Sequence, residues 1–166
     1  MLKKKIVMLG AFAVGKTSLV EQYVHSIFSE KYHTTIGVKI DQKIVELDGE
    51  HVTLLIWDIH GEDEFQKIKQ SYLIGSSGYI LVADGTRKHT LKTAEYLIDF
   101  AKSVTGETPF VMLINKSDLT DQWEIEDRDL EKYTEKGWHV KITSAKTGDY
   151  VEESFRLLTK NMVESK

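Results

Sequence analysis

The sequence predicts an α/β fold: a mostly parallel six-stranded sheet with one antiparallel edge strand and helices on both faces. Three observations carry that prediction. The first is a set of short, almost uninterrupted apolar runs, Ile6-Val7-Met8-Leu9, Gly78-Tyr79-Ile80-Leu81-Val82-Ala83-Asp84 and Phe110-Val111-Met112-Leu113-Ile114, with helical spacing between them. Such runs read as strands buried on both faces. The second is a pair of β-rich runs, 38–47 and 51–57, that meet at Asp48-Gly49, a hairpin signal that makes this pair antiparallel. The third is the glycine-punctuated stretch Gly10-Ala11-Phe12-Ala13-Val14-Gly15-Lys16-Thr17, which joins the first strand directly to a helix.

The elements follow in order. Strand 6–9 passes through the glycine loop into a helix over 18–24. Residues 28–37 lack helical or strand periodicity and read as a long loop, a feature that is usually functional inside a compact domain. The hairpin comes next, and its second strand ends in Trp57-Asp58-Ile59-His60-Gly61-Glu62. Residues 64–74 read as a short helix and 78–84 as a buried strand. Leu91, Ala94, Tyr96, Leu97, Ile98 and Ala101 give a helix over 90–103 its apolar side. Pro109 opens the strand 110–114 where its missing N–H costs little. An acidic helix near 126–136, a strand near 138–142 and a last helix over 150–162 complete the pattern.

A chain of 166 residues fits one domain, 1–166, and buries enough surface for an ordinary core. No repeat or low-complexity tract divides it. Cysteine is absent, which removes thiol catalysis, cysteine-based metal sites and lipid anchors on cysteine, and suits a reducing, cytoplasmic setting. The apolar stretch after Lys3-Lys4-Lys5 is too short for a signal peptide core or a membrane span. Those three lysines read as the solvated entrance to a strand. A net charge of −4, with no basic face, argues against nucleic acid as a partner.

The loop at 10–17 has the context that a phosphate cradle requires. Its glycines let backbone N–H groups turn inward, and the helix N-terminus adds partial positive charge. Lys16 can reach the β- and γ-phosphates, and the Thr17 hydroxyl can serve Mg²⁺. The cradle comprises Gly10, Ala13, Val14, Gly15, Lys16, Thr17 and Ser18, and the predicted class is the P-loop NTPases. Asp58, at the carboxyl end of a strand beside this loop, stands where a metal-directing carboxylate belongs. Asn115-Lys116-Ser117-Asp118 follows a strand directly and therefore lies at the same edge of the sheet. A carboxylate there accepts from the N1–H and exocyclic amine of guanine, whereas adenine would leave it unpaired. Ser144-Ala145-Lys146, again after a strand, can present a backbone N–H to the guanine carbonyl. The nucleotide expected is GTP or GDP.

With these motifs in this order, the sequence resembles the Ras-like small GTPases, most closely the Rab group. The resemblance covers nearly the whole chain and rests on Gly10 to Thr17, Thr35-Ile36-Gly37-Val38, Trp57-Asp58 with Gly61, Asn115 to Asp118, and Ser144-Ala145-Lys146. It implies that Thr35 coordinates Mg²⁺ when the γ-phosphate is present and that Gly61 gives that phosphate a backbone N–H. It implies that Asp58 holds Mg²⁺ through water. Phe28 then packs edge-on against the guanine, Lys116 and Lys146 cover the ring with their stems, and Tyr32 closes over the phosphates. Effector, exchange and activating proteins are implied as partners, through switch loops 30–38 and 59–74.

Three departures from the family pattern stand out. Glu62 occupies the position where the family usually has the glutamine that orients the attacking water, and a carboxylate cannot donate the amide hydrogen bond. Slow hydrolysis is expected, unless Glu62 is protonated or acts as a base; His60 either supplies a donor or shields the phosphate. Phe12 takes a loop position that is usually small, where it either crowds the γ-phosphate region and an incoming arginine or swings outward onto a switch loop. The chain also stops at Glu164-Ser165-Lys166 without the cysteine-bearing tail common in Rab proteins, as in a truncated protein or a lineage, plausibly prokaryotic, without prenylation. Two other functions compete with a slow GTPase: a pseudo-GTPase that holds guanine nucleotide without turning it over, and a P-loop kinase or ATPase, which Asn115 to Asp118 disfavours.

Overall fold

The structure, a computed structural model, describes residues 2–30, 37–60 and 68–165. The expectations for Tyr32, Thr35, Gly61 and Glu62, and part of the helix expected over 64–74, lie outside these residues. In chain order the elements are β1 (Leu2–Gly10), α1 (Lys16–His25), β2 (Gly37–Leu47), β3 (Glu50–His60), α2 (Gln70–Leu73), β4 (Gly78–Asp84), α3 (Thr90–Thr105), β5 (Phe110–Asn115), α4 (Asp127–Glu135), β6 (Val140–Ile142) and α5 (Val151–Glu164), with a 3₁₀ turn over Thr120–Gln122.

The six strands form one sheet in the order β2-β3-β1-β4-β5-β6. Only β2 runs antiparallel to its neighbour, so the predicted architecture is the one observed. The hairpin closes where Leu47 pairs with Glu50. Asp48 and Gly49 between them have φ of 51° and 80°. That pair of left-handed residues makes the turn whose twist matches the strands, and glycine takes the second position without steric cost.

Side chains of the central strand alternate between two cores, as the pleat dictates. Ile6 and Met8 face one cluster with Leu19, Val20, Tyr23, Phe155 and Leu158, under α1 and α5. Val7 and Leu9 face the other, with Leu81, Ala83, Leu97, Ile98, Met112 and Ile114, under α3 and α4. All seven residues of β4 are buried, which is why its sequence reads as a continuous apolar run. On the first face Tyr23 and Phe155 stack with ring centroids 4.0 Å apart, locking α1 to α5. Burial of each such ring contributes about 1.5–3 kcal/mol.

One expectation needs correction. The lysines 3–5 belong to β1 itself, and Lys5 is more than a solvated entrance. Its Nζ lies 3.8 Å over the Trp57 ring and donates to the carbonyls of Tyr72, at 2.6 Å, and Ile74, at 2.9 Å. Burial pulls its pKa below the ordinary lysine value. The ammonium thereby ties α2 to the sheet.

Because β1, β3, β4, β5 and β6 are parallel, their carboxyl ends meet at one edge. The register makes this concrete: Met8 pairs with Asp58, Gly10 with Val82, Asp84 with Asn115 and Ile114 with Ile142. Loops leaving those ends surround one crevice, the place where open α/β sheets take their ligands.

Candidate functional site, a nucleotide-sized crevice

The phosphate end of the crevice is built by the loop between β1 and α1. Ala13 and Gly15 have φ of 63° and 103°, so the backbone turns back on itself before the helix begins at Lys16. A Cβ on Gly15 would come within 2.3 Å of Asn115 Nδ2, so only glycine fits. No side chain caps α1, whose first N–H groups face the crevice as donors at the positive end of the helix. Lys16 is 8% exposed. Its Nζ donates to the carbonyls of Gly10, at 2.7 Å, and Ala11, at 3.4 Å, which bends the side chain back over its own loop. Burial lowers its pKa to about 8, against a partial opposing pull from Asp58. The Thr17 hydroxyl donates to Asp58 Oδ2, which puts a hydroxyl and a buried carboxylate side by side. Hard oxygen donors of this kind suit Mg²⁺.

The opposite end is assembled from the carboxyl ends of β5 and β6. Asp118 Oδ1 accepts from Ser144 Oγ at 2.7 Å, which fixes the carboxylate while leaving it further acceptor capacity. Asn115 is buried and bonded on both sides of its amide. Its Oδ1 accepts from Thr143 Oγ1 at 3.1 Å and from the Ala145 N–H at 3.3 Å, and its Nδ2 donates to the Val14 carbonyl at 3.0 Å. Lys116, with φ of 75°, sends its Nζ to the Ala13 carbonyl at 2.9 Å. Asn115 and Lys116 thus clamp the phosphate loop from residues about a hundred positions away.

Behind both lies Asp84, fully buried at the end of β4. Burial alone would raise its pKa. Hydrogen bonds from Lys116, Thr86 and Arg87 outweigh that effect and hold the carboxyl below its ordinary value. Lys116 Nζ is 2.8 Å and Arg87 Nε 3.0 Å from Asp84 Oδ2. Arg87 Nη2 also donates to the Phe12 carbonyl at 2.7 Å. Arg87 is therefore held both by Asp84 and by the loop backbone.

A cavity of about 380 Å³ runs between the two ends, within the range that small-molecule sites occupy. Ala13, Gly15, Lys16, Thr17, Ser18, Phe28, Asn115, Lys116, Asp118, Ala145 and Lys146 line it, so most of the residues singled out from sequence share one wall. Gly10, Val14 and Ser144 support that wall from behind. The backbone N–H groups of Ser144 and Ala145 go to Asp149 and Asn115, so Ser144 acts through its hydroxyl on Asp118. Ser29, Glu30 and Leu119 also line the cavity, and Glu30 pairs with Lys146 at 3.1 Å. Thr143, Asp84 and the hydroxyl of Ser144 were missed in the sequence. For Thr143 and Ser144 the signal is positional, at the end of a strand whose next loop carries a motif; Asp84 also ends a strand, but no motif follows it.

A glycine loop between β1 and α1, feeding a crevice at the carboxyl edge of a parallel sheet, defines a phosphate-loop nucleotide-binding fold. Comparison with known proteins narrows this class. The family model described as the Ras family matches residues 5–164, and Ras-related protein Rab7 of Drosophila melanogaster is 35% identical over 167 residues, covering 96% of this chain and 80% of that protein. The chain belongs to the Ras family of small GTPases and is close to its Rab group. Among the described residues, no helix is long and apolar enough to cross a membrane.

Proposed function

We propose that this chain is a one-domain molecular switch that binds GTP with Mg²⁺, hydrolyses it slowly to GDP, and shows the difference to partner proteins through residues 30–38 and 59–74. The observation that carries the reading is that Lys16 and Thr17 line the same cavity as Asp118. One small molecule with an anionic end and a purine end can contact all three.

Lys16 and the first N–H groups of α1 hold the phosphates, and Asp118, steadied by Ser144, accepts from the guanine N1–H and amine. Phe28, Lys116 and Lys146 enclose the base. Thr17 and Asp58, with Thr35, would hold Mg²⁺, which would supply positive charge to offset the negative charge of the phosphates. Gly61 donates to the γ-phosphate. The slow rate follows from Glu62 in place of a glutamine and from an arginine inventory that offers no finger. Arg87 is engaged with Asp84 and Phe12, Arg128 with Glu126, and Arg156 with the Glu46 carbonyl. An activating partner would supply the arginine, past Phe12. These features also favour the second reading, a pseudo-GTPase.

The nucleotide retained on purification and single-turnover phosphate release test the proposal. Guanine nucleotide is expected, with release over hours that Lys16→Ala or Thr17→Asn abolishes. Retained guanine nucleotide without release selects the pseudo-GTPase. Displacement of labelled GTP by ATP overturns both.

A further inference from the structure

Outside the residues that line the cavity, one group of three metal-ligating side chains stands out among the described residues: Glu21, His25 and Asp41, whose ligand atoms all lie within 4.8 Å of one another. Glu21 and His25 are four residues apart on α1 and so project from the same face, one turn above the other. Asp41 comes from β2, which packs against that face. His25 Nε2 is 3.4 Å from Asp41 Oδ1. This is long for an N–H···O hydrogen bond, and it matches the edge of about 3.4 Å between ligands held about 2.0–2.1 Å from a tetrahedral ion.

A second observation concerns Asp41 itself. Its side chain is 13% exposed, and its buried Oδ2 accepts no hydrogen bond within the described residues. What faces this carboxylate is Lys39, whose Nζ lies 2.5 Å from Glu21 Oε1 and 3.8 Å from Asp41 Oδ2. The ammonium occupies the seat between the two carboxylates, on a side chain 46% exposed and therefore able to swing out.

We propose that Glu21, His25 and Asp41 form a site for a divalent transition-metal ion of the Zn²⁺ type, with Lys39 as the built-in cation that the metal displaces. The donor set is one imidazole nitrogen and two carboxylates, three protein ligands with a fourth position for water. Imidazole selects Zn²⁺ and its neighbours over Mg²⁺, which prefers six oxygens in strict octahedral geometry. The site shares no ligand with Thr17 and Asp58, although Glu21 lies one turn beyond Thr17 on α1 and Lys39 pairs across the hairpin with Asp58. An ion there staples the last turn of α1 to β2, and so fixes both flanks of the segment that brings Phe28, Ser29 and Glu30 to the cavity.

The test is calorimetric titration of the full chain, loaded with GDP and saturating Mg²⁺, with Zn²⁺, and a parallel titration with Co²⁺ followed by its tetrahedral visible absorption. One ion per chain is expected. His25→Ala and Asp41→Asn should each weaken it by about tenfold or more, while Lys39→Gln should tighten it severalfold. His25 is 48% exposed, so His25→Ala leaves the fold intact and keeps the test decisive if Asp41→Asn does not fold. Absence of binding, or Zn²⁺ binding that ignores His25→Ala, overturns the site.

Discussion

The two ends of the crevice are built on opposite plans. At the base end, the groups that face the cavity are held from behind by other protein groups: Ser144 steadies Asp118, and Thr143 and Ala145 steady Asn115. At the phosphate end, the functional groups hold each other. Lys16 donates to its own loop, and Thr17 donates to Asp58. A preorganised acceptor rejects a wrong base by leaving buried groups unpaired, whereas a lysine and a hydroxyl with internal partners exchange those partners for phosphate and metal. The first plan yields selectivity and the second yields sensitivity to what is bound.

Substitutions that separate the two plans should differ in kind as well as size. Lys16→Ala should have the largest effect, since it removes charge-assisted hydrogen bonds to phosphate in a buried setting. A loss of about 3–4 kcal/mol, or roughly 10²–10³-fold in GTP and GDP affinity alike, should appear in displacement of a fluorescent guanine nucleotide. Next, Asp118→Ala should cost about 10²-fold for GTP while leaving ATP unchanged, so that the ratio of the two affinities collapses. Equal losses for GTP and ATP would erase the distinction between the ends.

The third effect is on pH. With Lys16 at about 8 in the nucleotide-free protein, and raised by phosphate in the complex, the ammonium is present in both forms below pH 8 and affinity there is level. Above pH 8 the free protein must take up a proton to bind. Affinity should then fall by up to about tenfold per pH unit until the bound lysine also titrates, and Lys16→Ala should remove that slope. For the nucleotide-free protein the sign is opposite. Its lysine titrates below the unfolded value of about 10.5, so the unfolded chain binds more protons between pH 8 and 10.5, and this residue's contribution to stability rises across that window. The smallest effect is Ser144→Ala, about 1 kcal/mol or fivefold on guanine affinity, seen as faster GDP release and with no change in the pH slope.

The difference between the ends also explains what could be read in advance. The phosphate end was legible because its parts are contiguous, from Gly10 to Thr17, in a strand-loop-helix context that fixes their geometry. The strands β1, β4 and β5 were legible because burial on both faces writes itself as an apolar run. The base end was legible only as motifs. That Asn115 bonds the Val14 carbonyl, and Lys116 the Ala13 carbonyl, has no signature in composition or period. Asp84 is a carboxylate at a strand end, like Asp58, and only tertiary structure tells that one faces Lys116 and Arg87 while the other faces Thr17. The lysines 3–5 misled for a related reason: charge at a strand's start looks solvated until Trp57 and Tyr72, far along the chain, are brought beside Lys5.

The clamp of Asn115, Lys116 and Arg87 on the carbonyls of Val14, Ala13 and Phe12 gives the crevice a hard flank and a soft one. On the hard flank, prying the loop away from the ends of β4 and β5 breaks one buried and two part-buried, charge-assisted hydrogen bonds at once. On the soft flank, α1 meets β2 through pairs in which one partner is solvent-exposed, Lys39 with Glu21 and His25 with Asp41, contacts that cost less to break than buried ones. Separating α1 from the hairpin therefore costs less than separating the loop from the strand ends on its other side, and the far half of the sheet is the stiffer half of the crevice.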